Sequence, residues 1–183
     1  MDLVSRVKNI LLQPASEWPV IDREPGDAGY LFRNYVAILA AIPAICGFVG
    51  AVMIGGSVLF GLIGAIIGYL LTFVAVYLLA FIVDTLAPNF AGRKDFQSAL
   101  KLVVYSSTAS WVGGVFALLP AIAILTLFCS LYSLYLLYLG IPVLMKAPPD
   151  RSLVYTIVVV VCAIIVWVII AVIPGMLLLG SRL

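Results

Sequence analysis

The sequence predicts an all-α integral membrane protein: a bundle of five transmembrane helices behind an N-terminal amphipathic helix at the membrane interface. Three observations predict it. Of 183 residues, 65% are hydrophobic and only 10% charged, against about 25% charged in an ordinary soluble domain. Mean hydropathy is +1.27. Several apolar runs also exceed the roughly 20 residues that carry an α-helix across a hydrocarbon core about 30 Å thick.

Residues 2 to 13, DLVSRVKNILLQ, set Leu3, Val4, Val7, Ile10 and Leu11 at helical spacing with Asp2, Ser5, Arg6, Lys8 and Asn9 opposite. That pattern predicts an amphipathic helix lying in the headgroup layer. Early charges without a 7 to 15 residue apolar stretch and a small-residue cleavage site argue against a cleavable signal peptide. Pro14 should end the helix, leaving ASEWPVIDREPGDAG as an irregular connector with Trp18 as an interface anchor. Residues 1 to 30 thus form a cytoplasmic arm, and 31 to 183 the membrane domain. Its five apolar segments run over about 31 to 54, 57 to 83, 97 to 118, 120 to 145 and 153 to 178. Pro120 suits the first turn of the fourth. Ala40 with Ala44, Gly47 with Ala51, Gly61 with Ala65 and Gly64 with Gly68 recur at four-residue spacing and predict close crossings in the first two spans.

With Arg33 and Lys101 counted in the connections they border, Lys and Arg fall 4, 0, 3, 0, 2 and 1 along the successive non-spanning stretches. The positive-inside rule then sets the N-terminus, the 84 to 98 loop and the 146 to 152 loop in the cytoplasm, with Arg182 and the C-terminus opposite.

Asp84 follows directly on the second apolar run. A helix starting near Ser57 crosses the core by about Val76 or Tyr77, so Asp84 falls about 10 Å further on, in the cytoplasmic headgroup zone. An acid at a helix C-terminus meets the negative end of the macrodipole. Arg93, Lys94 or Lys101 is therefore expected to compensate it as an ion pair or cap.

Other groups with chemistry to offer are hydroxyls. Tyr105, Ser106, Ser107, Thr108 and Ser110 crowd into less than two turns of the third span, near midplane. Tyr132, Tyr135 and Tyr138 fan over one side of the fourth. Either set could line a path for a solute, but hydroxyls bonding back to helix carbonyls or across to a neighbour are the commoner arrangement. Gly140 and Pro142 should loosen the end of the fourth helix.

Histidine is absent, which removes the commonest metal ligand and the usual general base. Cys46, Cys129 and Cys162 lie far apart within apolar runs, where a free thiol behaves as a small hydrophobe. Phosphate-binding glycine loops and basic nucleic-acid patches are missing. No catalytic residue, metal ligand or cofactor is nominated, and no nucleic-acid partner. Beyond Asp84 at one margin, no Asp, Glu, Lys or Arg lies well within a span, which argues against an ion-coupled carrier.

In order along the chain, RVKNILLQPASEW, DTLAPNFAG, KLVVYSSTASWVGG and LYSLYLLYLGIPVLM resemble the Yip family, the Ypt/Rab-interacting membrane proteins, in its bacterial inner-membrane branch. The resemblance implies five spans, a cytoplasmic N-terminus and residence in the bacterial inner membrane. It matches Asp84 and Pro88 to the family's acidic and proline block after the second span. Eukaryotic members are associated with small GTPases and vesicle traffic, as adaptors without a known active site. That machinery is not expected around the bacterial branch, and only about 30 residues precede the first span here, so the GTPase partner does not carry over.

Together these readings predict a noncatalytic membrane organiser or adaptor in contact with the lipid bilayer and with other membrane proteins or copies of itself. The alternative is a small passive channel or facilitator with Asp84 at its cytoplasmic mouth. Candidate functional or interfacial residues are Asp84, Pro88, Arg93, Lys94, Tyr105, Ser107, Thr108, Ser110, Tyr132, Tyr135 and Tyr138.

Overall fold

The computed structural model describes residues 2 to 180, and these are helical with no strand. Arg182 lies outside the described residues. Two short helices, α1 (Leu3–Leu12) and α2 (Pro14–Arg23), form an N-terminal hairpin. Pro14 opens α2 instead of merely closing α1: at the first helical position its missing N–H costs no bond and its fixed φ suits the helix. The expected irregular connector is therefore mostly helix.

Among the described residues four helices are long and apolar enough to cross a membrane. They are α3 (Ala28–Met53), which carries a π turn at Phe32–Val36; α4 (Val58–Leu86), prolonged by a 3-10 turn at Ala87–Phe90; α7 (Leu125–Leu144); and α8 (Pro149–Gly180), whose Pro149–Ile169 part supplies the spanning stretch. Between α4 and α7 the expected third span is not one helix. It is divided into α5 (Phe96–Ser106), α6 (Thr108–Gly113) and a 3-10 turn at Gly114–Leu118.

Hydroxyl chemistry accounts for the division. Ser106 Oγ and Ser107 Oγ both donate to the Val103 carbonyl, at 3.1 and 2.8 Å, and Thr108 Oγ1 donates to the Tyr105 carbonyl at 2.7 Å. Side chains that bond to nearby carbonyls compete with the backbone ladder and bend or interrupt it. Pro120 likewise begins a separate 3-10 turn, Pro120–Ile122, and not the helix that follows.

α5 is the centre of the packing: every residue from Ser98 to Ser106 is buried. α4 and α7 pack against it, α8 packs on α4 and α7, and the apolar outer faces stay open, as Leu59, Ile66, Leu70, Phe128 and Ile164 show. An exterior of this kind suits lipid tails. Of the small-residue positions, Gly61 makes the expected close approach, since a Cβ there would lie 3.2 Å from Phe48 of the first span, but the other glycines do not. A Cβ added at Gly47, Gly64 or Gly68 would meet nothing within 4 Å, whereas one at Gly114 would lie 2.6 Å from Pro43 Cβ. The closest approach of α3 is thus to the broken third segment.

The N-terminal hairpin is seated against α7. Tyr132 hydroxyl donates to the Leu11 carbonyl at 2.7 Å, Trp18 lies against Gly140, and Lys146 Nζ meets Asp22 at 2.6 Å. These contacts run α2 alongside α7 in the same direction. Tyr132 is 14 residues before Lys146, about 20 Å of helix, so the hairpin tip reaches far down the bundle. Trp18 is fully buried and is not a surface anchor, and Arg6, expected on the polar outer face of α1, is 4% exposed.

Candidate functional site

A charged and hydroxylic seam lies where the hairpin meets α5 and α6. Arg6 carries it: Nη1 bonds Glu17 Oε1 at 2.5 Å, Nη2 bonds Glu24, and the guanidinium stands 5.5 Å from the centre of the Tyr105 ring. Asn9 Nδ2 donates to the other oxygen of Glu17 at 3.3 Å. Tyr105 is set edge-on against Tyr35 at 4.8 Å, and the Tyr35 hydroxyl shares a hydrogen bond of 2.8 Å with Thr108 Oγ1. Lys101, 5% exposed, extends to the Ile21 and Glu24 carbonyls at 3.1 and 2.5 Å. Those carbonyls end α2, so the ammonium acts as its C-terminal cap and complements the negative end of the helix dipole.

Lower in the bundle, Ser110 and Ser133 join α6 to α7: Ser133 Oγ accepts from Ser110 Oγ at 2.7 Å and from the Ser110 N–H at 2.9 Å. Ser107, Thr108 and Ser110 therefore use their hydroxyls on internal partners. Two of the three tyrosines of α7, Tyr132 and Tyr135, keep their ring centres 5.6 Å apart. Tyr132 turns to the hairpin, while Tyr135 and Tyr138 are 48% and 38% exposed on the outer face.

Asp84 differs from expectation in burial and in partner. It lies two residues before the end of α4, 5% exposed, and its Oδ1 has no hydrogen-bond partner among the described residues. None of the three expected cations pairs with it. Arg93 pairs with Asp95 at 2.8 Å, Lys101 is committed to α2, and Lys94 stands exposed without an ion pair among the described residues. Beside Asp84, Tyr155 donates to the Val83 carbonyl at 2.5 Å and stacks on Phe90 at 4.7 Å. Pro88 sits exposed in the 3-10 turn, and the Arg93 N–H ties the loop to the Met145 carbonyl at 2.7 Å. Asp95 caps α5, accepting from Gln97 N at 3.1 Å and from Ser98 Oγ at 2.9 Å. Partial burial would raise its carboxyl, but the bonds from Arg93 and Ser98 outweigh that and hold it below the usual aspartate range.

Arg6, Glu17, Glu24, Tyr35 and Ser133 are the members that sequence reasoning missed. The available signal for Glu17 was an acid in the first turn of a helix that Pro14 opens, in a segment read as loop. Among the described residues no group of three His, Cys, Asp or Glu side chains could hold a metal ion. What the seam does chemically is hold elements together: its charged and hydroxyl groups are matched to one another, while the Trp18 Nε1 beside it is buried without a hydrogen-bond partner among the described residues.

These features define a polytopic α-helical membrane protein whose N-terminal hairpin is locked into the bundle by buried charge. Residues 8 to 170 match the Yip1 domain, and the chain belongs to that family. It is similar to the inner membrane protein YohC of Escherichia coli K12, 28% identical over 163 residues that cover 82% of this chain and 84% of the relative. YohC of Escherichia coli O6:H1 strain CFT073 aligns over the same extent at the same identity. No solved structure matches.

Proposed function

We propose that the protein is a noncatalytic organiser or adaptor of the bacterial inner membrane, with its N-terminus in the cytoplasm and its C-terminus opposite. The observation that supports this reading is the pairing of the seam. Arg6, Glu17, Glu24, Lys101, Thr108 and Ser110 are all engaged in bonds that join the hairpin, α5, α6 and α7, which is the arrangement of a scaffold. In the five-span topology, α5, α6 and the following 3-10 turn together make the third crossing, with the interruption at Ser107 covered by neighbouring helices and satisfied by side chains, as non-helical backbone at membrane depth requires. Pro88, Arg93, Lys94 and the outer side of the hairpin form the cytoplasmic contact surface for a membrane protein or a second copy. Site-specific photocrosslinking from positions 88 and 94 in cells tests it: discrete adducts support the adaptor, and an adduct-free surface counts against it.

One observation favours a second reading, a small passive channel or facilitator. Asp84 keeps a buried oxygen without a partner, and an intramembrane ionisable group is a default functional candidate. Cysteine accessibility separates the two. In a background lacking Cys46, Cys129 and Cys162, labelling of Ser107→Cys or Ser110→Cys by an impermeant thiol reagent requires water at that depth and supports the channel. Reaction confined to Asp84→Cys, from the cytoplasmic side, supports the scaffold.

A further inference from the structure

The depth of the N-terminal hairpin is fixed by its contacts with α7. That helix has 20 residues, Leu125–Leu144, about 30 Å of rise and so the thickness of a hydrocarbon core. Leu11, at the turn of the hairpin, is held by the Tyr132 hydroxyl at 2.7 Å. Tyr132 lies about 18 Å along the helix from Leu144, and a helical side chain leans toward its own N-terminus. The turn is thus at least as deep as the middle of α7. α5 gives the same depth. Gly26, just after α2, lies against Gln97 at the start of α5, and Arg6 lies over Tyr105, about 12 Å further along. From Arg6 to Leu11, α1 descends roughly 7 to 8 Å more.

Non-helical backbone at such a depth has to be satisfied within the protein, and charges there have to be paired. The turn is built that way. The Gln13 N–H donates to the Asn9 carbonyl at 2.7 Å, and the Gln13 carbonyl accepts from the Ser16 and Glu17 N–H groups at 3.2 and 3.1 Å. Ser16 Oγ donates to the same carbonyl at 3.0 Å, and Pro14 has no N–H to satisfy. Arg6 and Glu17 are buried against each other. Lys8 is exposed one turn above Leu11, and its stem is long enough to carry the ammonium toward the headgroups. On the outer side Leu12 is 69% exposed, with Ala15 exposed beside the turn. The Gln13 amide, exposed at the tip, is the polar group that this placement leaves least well accommodated.

We infer that the hairpin is a re-entrant membrane segment. It enters the leaflet at the Lys146 end of α7, turns at Gln13 near the middle of the bilayer and returns, with Leu12 and Ala15 among the acyl chains of that leaflet. The inference rests on α7 crossing the bilayer. It also bears on the adaptor surface: only the Asp2 and Arg23 ends of the hairpin stay near the headgroups, so a partner meeting the rest of its outer side does so inside the leaflet.

The test is electron paramagnetic resonance of nitroxide labels on the full chain in phospholipid vesicles, comparing collisions with oxygen, which concentrates in hydrocarbon, and with a water-soluble nickel chelate. With Cys46, Cys129 and Cys162 replaced, single labels are placed at Leu12→Cys, Ala15→Cys, Arg23→Cys and Leu131→Cys. All four side chains are exposed, so no packing is displaced, and Leu131 marks the level of Tyr132 on the open face of α7. The expected result is that Leu12 and Ala15 share the oxygen preference of Leu131. The depth at Leu12 should exceed that at Arg23 by about 15 Å, the rise of the ten residues from Gln13 to Arg23. Nickel accessibility at Leu12 and Ala15 equal to that at Arg23 overturns the inference, because the turn is then in water. Labels immobile and shielded from both reagents overturn it as well, since a second copy then covers the turn. Loss of the oxygen preference at Leu131 itself overturns it through α7, and separates failure of the five-span topology from failure of the hairpin alone.

Discussion

Arg6 and Glu17 meet at 2.5 Å across the N-terminal hairpin with their side chains only 5% and 7% exposed, and Glu24 completes the pair from the end of α2. A buried ion pair contributes little net stability against an apolar replacement of both partners, but removing one partner strands the other and costs about 3 to 5 kcal/mol. The pair is thus a fastener whose failure is asymmetric.

Arg6→Met should accordingly release the hairpin while leaving the spanning helices folded. In a cysteine-free background, Ile10→Cys, buried in the parent, should be inert to a soluble thiol reagent and become reactive when Arg6→Met is added. Glu17→Gln should have a smaller effect and Glu24→Gln the smallest, because the Glu24 side chain is 35% exposed and partly screened by water. Equal reactivity in all three variants would refute the fastener.

Gly140 is the socket for Trp18. A Cβ built there would lie 2.5 Å from Leu102 Cδ1 and 2.9 Å from the Trp18 ring. Leu102 and Trp18 are both fully buried, so neither can move aside freely. Gly140→Ala should cost about 1 to 3 kcal/mol as overpacking, seen as a lower midpoint in detergent unfolding and a shifted Trp18 emission. Trp18→Leu in the same background should relieve most of that loss, and failure to do so would place the strain elsewhere.

The membrane-spanning part of this fold was legible because it rests on length and hydropathy. The α3, α4, α7 and α8 segments announce themselves as apolar runs, and their observed ends differ from expectation by only a few residues. The third segment misled because periodicity does not register what Ser106, Ser107 and Thr108 do to a helix from within. Asp84 was placed near the C-terminal end of α4 by counting rise from Ser57, and α4 ends two residues later at Leu86, but length carries no information on the packing that buries it. The seam was hidden for another reason. Arg6 and Glu17 look like a solvated polar face in a local window, and only the reversal at Gln13, which closes α1 and opens α2, turns them toward each other and toward Tyr105. Partnerships across 70 to 120 residues, such as Tyr35 with Thr108 or Tyr132 with Leu11, have no local signature at all.

Ala91 stands at φ +55°, ψ +25°, in the left-handed region, with its side chain exposed. A residue carrying a Cβ pays roughly 1 to 2 kcal/mol for that conformation, so Ala91→Gly should stabilise the loop, by about 0.5 to 1 kcal/mol once the greater freedom of glycine in the unfolded chain is counted. Its neighbour responds oppositely. A Cβ at Gly92 would approach the Met145 carbonyl oxygen to 3.0 Å, beside the Arg93 to Met145 bond that ties the loop to α7. Gly92→Ala should lower the unfolding midpoint as Ala91→Gly raises it; changes of the same sign would contradict the loop geometry.

Asp95 makes the start of α5 sensitive to acid. Its carboxyl titrates below the usual value because Arg93 and Ser98 bond the charged form more than burial disfavours it. For a group whose folded pKa is depressed, the stabilisation is present in full above the unfolded value, about 3.9, and is lost as pH falls through the lower folded value. The parent and Asp95→Asn should therefore differ most at neutral pH, by the loss of a charged cap of about 1 kcal/mol, and converge as pH is lowered from about 4 toward 2. Arg93→Gln should reduce the difference without abolishing it, since Gln97 N and Ser98 still cap to Asp95. Unfolding midpoints of the four combinations across that range decide the matter: a parent-to-Asn gap that is constant with pH would mean that the cap acts through shape alone and that the charge on Asp95 contributes nothing.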